Sequence, residues 1–138
     1  QKIAGPFLRA LGTLFVERAD PQGGVADTGK ALAAAKAGRA LVFFPEGTFT
    51  RAPGLLPFRL GAFVIATQLG LQVIPLALHG TRSVLRGERW WPRRHEVSVR
   101  VGAPLEPDGR DFAASVRLRD AVRAVILAGS GEPDARQP

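Results

Sequence analysis

The chain has 138 residues, 46% of them hydrophobic, which is enough for one globular domain with a buried core. It contains no cysteine, which excludes disulfides and thiolate metal sites, and its two histidines, His79 and His95, cannot form a metal cluster by themselves. No run reaches the roughly 18 consecutive apolar residues that a membrane-spanning helix needs. The composition therefore predicts one domain, with neither a metal centre nor a membrane span.

The charge is strongly positive. The formal net charge is +7, and only three of the 19 basic residues are lysines. Arginine suits the recognition of phosphate and carboxylate groups, and a positive protein favours anionic partners such as lipid headgroups or nucleic acid. A GC-rich genome that encodes arginine in place of lysine would give the same composition. Charge alone therefore names candidate partners without choosing among them.

The predicted elements alternate between strands and helices. Residues 13–17 and the almost wholly apolar residues 40–44 have the length and composition of strands. Between them, residues 28–37 are rich in alanine, leucine and lysine, which favours a helix. Asp27 is its expected N-cap, and Gly38 stands where a helix C-terminal glycine belongs. The first half of the chain is therefore expected to contribute a central strand and a covering helix.

The second half continues the alternation. A helix is predicted over residues 58–69 and a strand over residues 72–78. Residues 96–101 carry valine at every second position, which predicts a half-buried strand. A last helix is expected over residues 112–127, behind an N-cap at Asp111. Its predicted apolar stripe consists of Phe112, Val116, Val122 and Val125.

The order of the elements predicts the fold class. Alternating strands and helices are typical of an α/β fold, here a mixed or mostly parallel sheet flanked by helices. No internal repeat or long linker divides the chain, so residues 1–138 are expected to form a single domain. Residues 130–138 are polar and are expected to form a loose tail.

The segment with the clearest chemistry is Phe-Pro-Glu-Gly-Thr at residues 44–48, directly after the apolar run. Open α/β sheets place their sites in loops at the carboxyl ends of central strands. Pro45 fixes the direction of the chain, Glu46 presents a carboxylate, and Gly47 lets a ligand approach the backbone closely. An ordinary polar turn with a solvated glutamate has the same composition, so composition alone leaves both interpretations open.

Residues 44–48 match the FPEGT signature of the lysophosphatidic acid acyltransferase family, and three further segments resemble blocks of that family. Residues 12–18 resemble its second block, a glycine, an apolar strand and an acidic residue followed by Arg18. Residues 58–62 resemble its helix start with a basic residue, and residues 73–76 resemble a strand interrupted by proline. The four segments occur in the family's order and span most of the chain.

This resemblance implies a glycerol-phosphate acyltransferase-like fold and an acyltransferase without a cofactor. The implied reaction moves a fatty acyl group from acyl-coenzyme A or acyl carrier protein to a hydroxyl of lysophosphatidic acid or a related lysolipid. Arg18 and Arg59 would hold the acceptor phosphate, because a guanidinium donates paired, charge-assisted hydrogen bonds to phosphate. Glu46 and Gly47 would hold the glycerol end. Thr48 and Arg51 are further substrate-binding candidates.

The family's first block supplies the catalytic base, a histidine followed five positions later by an aspartate. Neither histidine here has that partner, because Val84 lies five positions after His79 and Arg100 lies five positions after His95. We therefore expect the His/Asp pair upstream of Gln1. The chain is then an N-terminally truncated acyltransferase domain with no catalytic residue of its own, which carries the acceptor-binding part only.

Two other functions compete with this interpretation. Residues 24–30 have the spacing of a nucleotide phosphate-binding loop, but Ala31 stands where a serine or threonine must bind Mg²⁺. A nucleoside triphosphatase is therefore not expected. The main alternative is a non-catalytic module that binds anionic lipid or nucleic acid through its arginines, which needs no residue outside the chain.

A second basic surface is predicted in residues 82–94, where five arginines surround two adjacent tryptophans. Amphipathic indoles beside cations are typical of a bilayer interface. They would also suit base stacking, but no nucleic-acid motif accompanies them. We therefore expect an anionic membrane surface as partner, no nucleic acid, and a peripheral location on the cytoplasmic face. The predicted membrane contacts are Trp90, Trp91, Arg93 and Arg94.

Overall fold

The computed structural model describes residues 21–48, 50, 52–84, 91 and 93–135. These residues form four helices and two strands. In chain order they are α1 (Pro21–Lys36), α2 (Gly61–Leu69), β1 (Leu76–His79), α3 (Thr81–Val84), β2 (Ser98–Val101) and α4 (Phe112–Ser130). We expected one domain, and the chain forms two compact units, Gln1–Val42 and Phe43–Pro138. The first contains α1 and the second contains the other five elements.

Helix α1 begins earlier than the sequence predicted. It starts at Pro21, whose missing N–H needs no partner in the first turn, so Asp27 lies inside the helix and the predicted N-cap is wrong. Residues 24–30 lie inside the same helix. Their backbone N–H groups enter helical hydrogen bonds, and they cannot cradle a phosphate as a loop would. The helix ends at Lys36, and Gly38 follows it with φ 77°, where a helix C-terminal glycine was predicted.

The core of the second unit is built on α2, α4 and the chain that leads into α2. Its buried cluster consists of Leu55, Phe58, Phe63, Ala66, Leu118 and Val122. The rings of Phe58 and Phe63 are stacked, with their centroids 6.3 Å apart. Helix α2 starts at Gly61, later than predicted, and ends as predicted at Gly70, which has φ 66°.

Helix α4 begins behind the predicted cap, because Oδ1 of Asp111 accepts a hydrogen bond from the N–H of Ala114 at 2.7 Å. It extends beyond its predicted end and stops at Gly131, which has φ 70°. Its buried face differs from the predicted stripe. The buried residues are Ala114, Ser115, Leu118, Val122, Arg123 and Ser130. The Arg123 side chain points inward to polar partners, and Phe112 of the predicted stripe is exposed.

Strands β1 and β2 form an antiparallel pair, in which Leu76 lies opposite Val101 and Leu78 lies opposite Val99. The strand predicted at residues 96–101 is confirmed for Ser98–Val101, but the valines of the predicted strand are exposed instead of half-buried. Ala77 is the buried residue of β1, because α4 packs against this strand.

The expected mixed or mostly parallel sheet is not formed by the described residues, whose one sheet is this two-stranded antiparallel pair. Residues 40–44, which we predicted to form a central strand, carry no strand pairing within that part of the chain, and the predicted strand at 13–17 lies outside it. The strand predicted at 72–78 is interrupted by Pro75, which has no N–H to donate. Before that proline, Val73 forms only an isolated antiparallel bridge with Leu105.

The C-terminal residues are held against the core. The N–H of Leu55 donates to the carbonyl of Pro133 at 2.8 Å, and the N–H of Ala135 donates to the carbonyl of Leu55 at 3.2 Å. These bonds form an isolated parallel bridge between Leu55 and Asp134. The expectation of a loose tail is therefore wrong for residues 131–135, because backbone pairing and side-chain bonds offset the cost of ordering them. Residues 136–138 lie outside the described part.

None of the helices in the described ranges combines the length and the hydropathy that crossing a membrane requires.

Candidate functional site

The FPEGT segment forms a tight turn that is closed by the residue before α2. The N–H of Gly47 donates to the carbonyl of Phe44 at 3.0 Å, and the N–H of Arg59 donates to the carbonyl of Pro45 at 2.8 Å. Gly47 has φ 67°, which other residues adopt only with strain. We call residues 44–59 the acceptor loop, and the bond between Pro45 and Arg59 closes its base.

The side chain of Arg59 lies directly over Gly47. A Cβ atom placed on Gly47 would stand 2.5 Å from Cδ of Arg59 and 3.3 Å from its Cζ, so only glycine leaves room for this arginine. Arg59 is exposed and forms no ion pair with a described residue. Its guanidinium is therefore available to an anion that approaches from solvent.

Glu46 has a structural contact that the sequence did not indicate. Its Oε2 accepts a hydrogen bond from the N–H of Leu56 at 2.9 Å, across the acceptor loop. Its Oε1 has no hydrogen bond to a described residue, so this oxygen can accept one from a ligand hydroxyl. The structure thus brings Glu46, Gly47 and Arg59 together as predicted, with the carboxylate anchored through one oxygen.

Of the other three predicted substrate contacts, the structure describes only Thr48. Thr48 is exposed and continues the turn after Gly47. Arg18 and Arg51 lie outside the described residues, so their roles stay predictions.

A pair of charged residues braces the acceptor loop from outside. Oε2 of Glu132 accepts a hydrogen bond from the N–H of Gly54 at 2.8 Å, and its Oε1 accepts one from Nε of Arg82 at 3.1 Å. Nη1 of Arg82 also donates to the carbonyl of Thr50 at 3.4 Å. The sequence placed Arg82 in the basic surface at residues 82–94; the structure assigns it instead to the support of this loop.

A buried arginine holds the loop from the core side. The side chain of Arg123 is only 4% exposed. Its Nη2 donates to the carbonyl of Leu55 at 2.6 Å, and its Nε donates to the carbonyl of Leu56 at 3.2 Å. Both of its terminal nitrogens pair with the Asp134 carboxylate, at 3.1 and 2.5 Å, and its guanidinium stands 5.9 Å from the centroid of the Phe58 ring. These bonds satisfy a charge that would otherwise be costly to bury.

Glu132 makes the stability of this loop pH-dependent. Burial opposes its ionisation, but the N–H of Gly54 and the guanidinium of Arg82 outweigh burial, so its pKa lies below the usual value. A carboxyl group with a lowered pKa stabilises the fold above the unfolded-state pKa of about 4.3, and this stabilisation is lost as the pH falls through the lower folded-state pKa.

Glu132→Gln should therefore lower the free energy of unfolding by about 1–2 kcal/mol near pH 7, and the difference from the parent should shrink below about pH 4. Urea denaturation at both pH values measures it. Glu106→Gln is the matched control, since Glu106 is exposed and has no hydrogen bond to a described residue. A loss of equal size at both pH values would contradict the assignment.

The two histidines do not form a catalytic pair in the structure. His79 ends β1, and its ring lies against Gly131, where an added Cβ would stand 2.9 Å from its Cδ2. His95 is exposed, and its Nδ1 lies 3.0 Å from the carbonyl oxygen of Glu96. Neither imidazole is hydrogen-bonded to a carboxylate of a described residue. The described ranges also contain no group of three or more side chains that could hold a metal ion.

The predicted membrane segment is partly described. Trp91 is 71% exposed, and Arg93 and Arg94 are also exposed. The N–H of Arg93 donates to the carbonyl of Val84 at 2.8 Å, which ties the segment to the end of α3. Trp90 lies outside the described residues.

Comparisons with known proteins agree with the motif. The Acyltransferase family model matches residues 1–79. The chain is 34% identical over 104 residues to the chloroplastic 1-acyl-sn-glycerol-3-phosphate acyltransferase BAT2 of Brassica napus, covering 75% of this chain and 30% of that protein. It is 45% identical over 77 residues to the 1-acyl-sn-glycerol-3-phosphate acyltransferase of Haemophilus influenzae, covering 51% and 31%.

A solved structure is also similar, that of the 1-acyl-sn-glycerophosphate (LPA) acyltransferase PlsC from Thermotoga maritima. The TM-score is 0.75 at 26% identity, over 91% of this chain and 49% of that one. The chain therefore spans about a third of the length of these two curated relatives and about half of the solved one.

Proposed function

Since the chain belongs to the Acyltransferase family, we propose that it forms the acceptor-binding part of an enzyme that acylates lysophosphatidic acid. The acyl group comes from acyl-coenzyme A or acyl carrier protein, and no cofactor takes part. The names of the relatives support this acceptor, since each is called a 1-acyl-sn-glycerol-3-phosphate acyltransferase. We extend the proposal to a mixed or mostly parallel sheet in the complete fold, of which β1 and β2 form one antiparallel pair.

The observation that carries this proposal is the placement of Arg59 over Gly47, beside the anchored carboxylate of Glu46. Lysophosphatidic acid offers an anion at one end and a single free hydroxyl group on its glycerol. The exposed guanidinium can bind the phosphate through paired hydrogen bonds, and the Oε1 oxygen of Glu46 can accept from the glycerol. These two contacts hold the acceptor so that the oxygen of its one hydroxyl faces the thioester, which is how positioning accelerates a bimolecular step.

The reaction then follows from the chemistry of the two substrates. The acceptor hydroxyl oxygen attacks the thioester carbonyl carbon, a new ester C–O bond forms, and the C–S bond breaks. The hydroxyl proton passes to a histidine paired with aspartate, which we place outside residues 1–138, and from there to the departing thiolate. We assign Arg18 to the acceptor phosphate with Arg59, and Thr48 and Arg51 to the rim of the same site.

Removing the cation of this site should weaken acceptor binding selectively. In the full-length enzyme, Arg59→Ala should raise the KM for lysophosphatidic acid by about 10-fold or more, because a hydrogen bond to a charged group contributes about 1.5–3 kcal/mol. The KM for the acyl donor should stay the same. Arg117→Ala is the control, since that arginine is exposed and paired with Asp108 instead. Equal effects on both substrates would show that Arg59 is structural.

Glu46→Ala separates this function from the main alternative, a module that binds anionic lipid or nucleic acid through its arginines. Loss of a carboxylate should weaken acceptor binding if Glu46 holds the glycerol. It should not weaken binding to a polyanion, which the removal of a negative charge favours. Tighter binding of anionic vesicles or DNA, with an unchanged KM for the acceptor, would favour the binding module.

We further propose that the segment around Trp91 contacts the cytoplasmic face of the membrane in which the acceptor resides, and that nucleic acid is not a partner. Exposed Arg93 and Arg94 support this, because each basic residue near an anionic surface contributes about 1 kcal/mol. Arg93→Glu/Arg94→Glu should therefore abolish most binding to anionic vesicles at low salt, whereas Trp90→Ala/Trp91→Ala should remove a salt-resistant part.

Vesicle co-sedimentation at two salt concentrations measures both effects. The matched control is Arg110→Glu/Arg117→Glu, which changes the net charge equally at two other exposed arginines. The membrane proposal should be dropped if the charge-reversed segment binds as well as the parent protein at low salt.

A further inference from the structure

One peptide group connects the buried Arg123 with the carboxylate of the site. The carbonyl of Leu55 and the N–H of Leu56 belong to the same peptide bond. The carbonyl accepts from Nη2 of Arg123 at 2.6 Å, and the N–H donates to Oε2 of Glu46 at 2.9 Å. The arginine and the glutamate therefore bind opposite ends of one rigid group.

The geometry of a peptide bond makes this connection directional. The group is planar, so fixing its carbonyl also fixes the direction of its N–H. A charged donor on the carbonyl also polarises the group and strengthens the hydrogen bond that its N–H makes. The orientation of Arg123 is thus transmitted to Glu46 without any direct contact between the two side chains.

Arg123 is itself held in place well enough to act in this way. It is buried, it pairs with both oxygens of Asp134, and its Nε holds the carbonyl of Leu56. The Leu55 carbonyl also accepts from the N–H of Ala135, but at 3.2 Å and from an uncharged donor. The brace at Glu132 binds a different peptide group, that of Gly54. The arginine is therefore the one charged donor on the Leu55 carbonyl among the described residues.

We infer that Arg123 is a positioning residue for the Glu46 carboxylate, acting through the peptide group between Leu55 and Leu56. It lies on α4, remote in sequence from every acyltransferase motif, and touches no reacting atom. Its effect on acceptor binding rests on the function proposed above, whereas its effect on Glu46 rests on the hydrogen bonds alone.

The first measurement is amide hydrogen exchange by NMR on the chain of residues 1–138. Arg123→Lys keeps the charge but cannot reach both carbonyls and Asp134 together. The measured quantity is the exchange rate of the Leu56 amide relative to that of the core amide of Val122. This ratio should rise about 10-fold or more, because the hydrogen bond from the Leu56 N–H to Glu46 would be lost, and a tenfold change corresponds to about 1.4 kcal/mol. Arg119→Lys is the control, because Arg119 lies on the same helix and pairs with Asp120. If Arg123→Lys does not fold, Asp134→Asn loosens the arginine, and the same ratio is measured.

The second measurement is kinetic and uses the full-length enzyme. Arg123→Lys should raise the KM for lysophosphatidic acid several-fold and leave the KM for the donor unchanged. In a Glu46→Ala background it should have no further effect on the acceptor KM, because the group that it positions has been removed.

Two results would overturn the inference. One is an unchanged exchange ratio for Leu56 in both Arg123→Lys and Asp134→Asn. The other is an equal rise of the acceptor KM with and without Glu46, which would show a general structural role. Failure of the proposed function looks different. In that case Glu46→Ala leaves the acceptor KM unchanged, and the exchange ratio still reports the positioning of Glu46.

Discussion

The chain of residues 1–138 on its own should transfer acyl groups about 10² to 10⁴ times more slowly than the full-length enzyme, because this is the range that general-base catalysis contributes. We expect neither of its two histidines to supply the base. His95 is exposed with a backbone carbonyl as neighbour, and the ring of His79 packs against Gly131. Neither imidazole is hydrogen-bonded to a carboxylate of a described residue, so no such bond orients it for proton transfer from the acceptor.

A thioester-cleavage assay with lysophosphatidic acid and acyl-coenzyme A measures this difference, and the background without protein is its control. Turnover by the chain of about 1 to 10³ per second, as for an ordinary enzyme, would place the base within it. The variants His79→Ala and His95→Ala would then identify the base.

Gly47→Ala should raise the KM for the acceptor by about 10- to 100-fold in the full-length enzyme, and the KM for the acyl donor should change little. Two effects combine. An alanine at φ 67° is strained by about 1–2 kcal/mol, and its Cβ would overlap the Arg59 side chain. The arginine must then leave the position that we assign to phosphate binding, and a bidentate contact to an anion is lost.

Gly38→Ala separates the two effects. Gly38 has a similar φ of 77°, but an added Cβ would meet no atom within 4 Å. The Gly38→Ala variant should therefore lose about the same free energy of unfolding through backbone strain, and its acceptor KM should stay unchanged. The unfolding free energies of both variants give the strain directly. If both raise the acceptor KM equally, stability accounts for the effect, and the contact between Gly47 and Arg59 has no role in binding.

Local signals in the sequence predicted the ends of several elements correctly. Gly38 and Gly70 end helices, and Asp111 begins one, because a cap depends on a few neighbouring residues and on the φ that glycine allows. Asp27 shows the limit of the same rule. A residue type that caps helices also occurs inside them, and here an earlier proline provides the start.

Contacts between distant residues were not predictable in this way. The buried face of α4 includes Arg123 beside Val122, and the predicted stripe of apolar residues gave no sign of this arginine. A weak signal existed, because Ile126 and Leu127 follow Arg123 at helical spacing and pack on the core, which places the arginine on the same side. The acceptors that Arg123 binds are the carbonyls of Leu55 and Leu56 and the carboxylate of Asp134. They could not be inferred from spacing, since hydrophobic periodicity does not encode which carbonyls lack a donor.

The residues of the candidate site were named from the motifs, and their roles in substrate binding stay predictions. Two sequence segments named Glu46, Gly47 and Arg59 as parts of one site, and the structure shows which contacts hold each of them. The hydrogen bonds of Glu46 with the Leu56 amide and of Glu132 with the Gly54 amide were missed. In both, the donor is a backbone N–H, which almost every residue carries, so the sequence does not show which amide a carboxylate will meet.

The bonds between the acceptor loop and the C-terminal residues also determine the order in which this unit can be completed. Gly54 and Glu132 are 78 positions apart, and the bond between them joins the loop to a segment that the ribosome makes much later. Closing so long a stretch of chain costs entropy before the contact forms, so contacts of this kind form late in folding. While the protein is being synthesised, Glu46 and Arg59 are already present, but the loop that carries them lacks its supports until residues 123–135 have emerged. If the loop binds the acceptor as we propose, the nascent chain gains that ability only after residues 123–135 have been made.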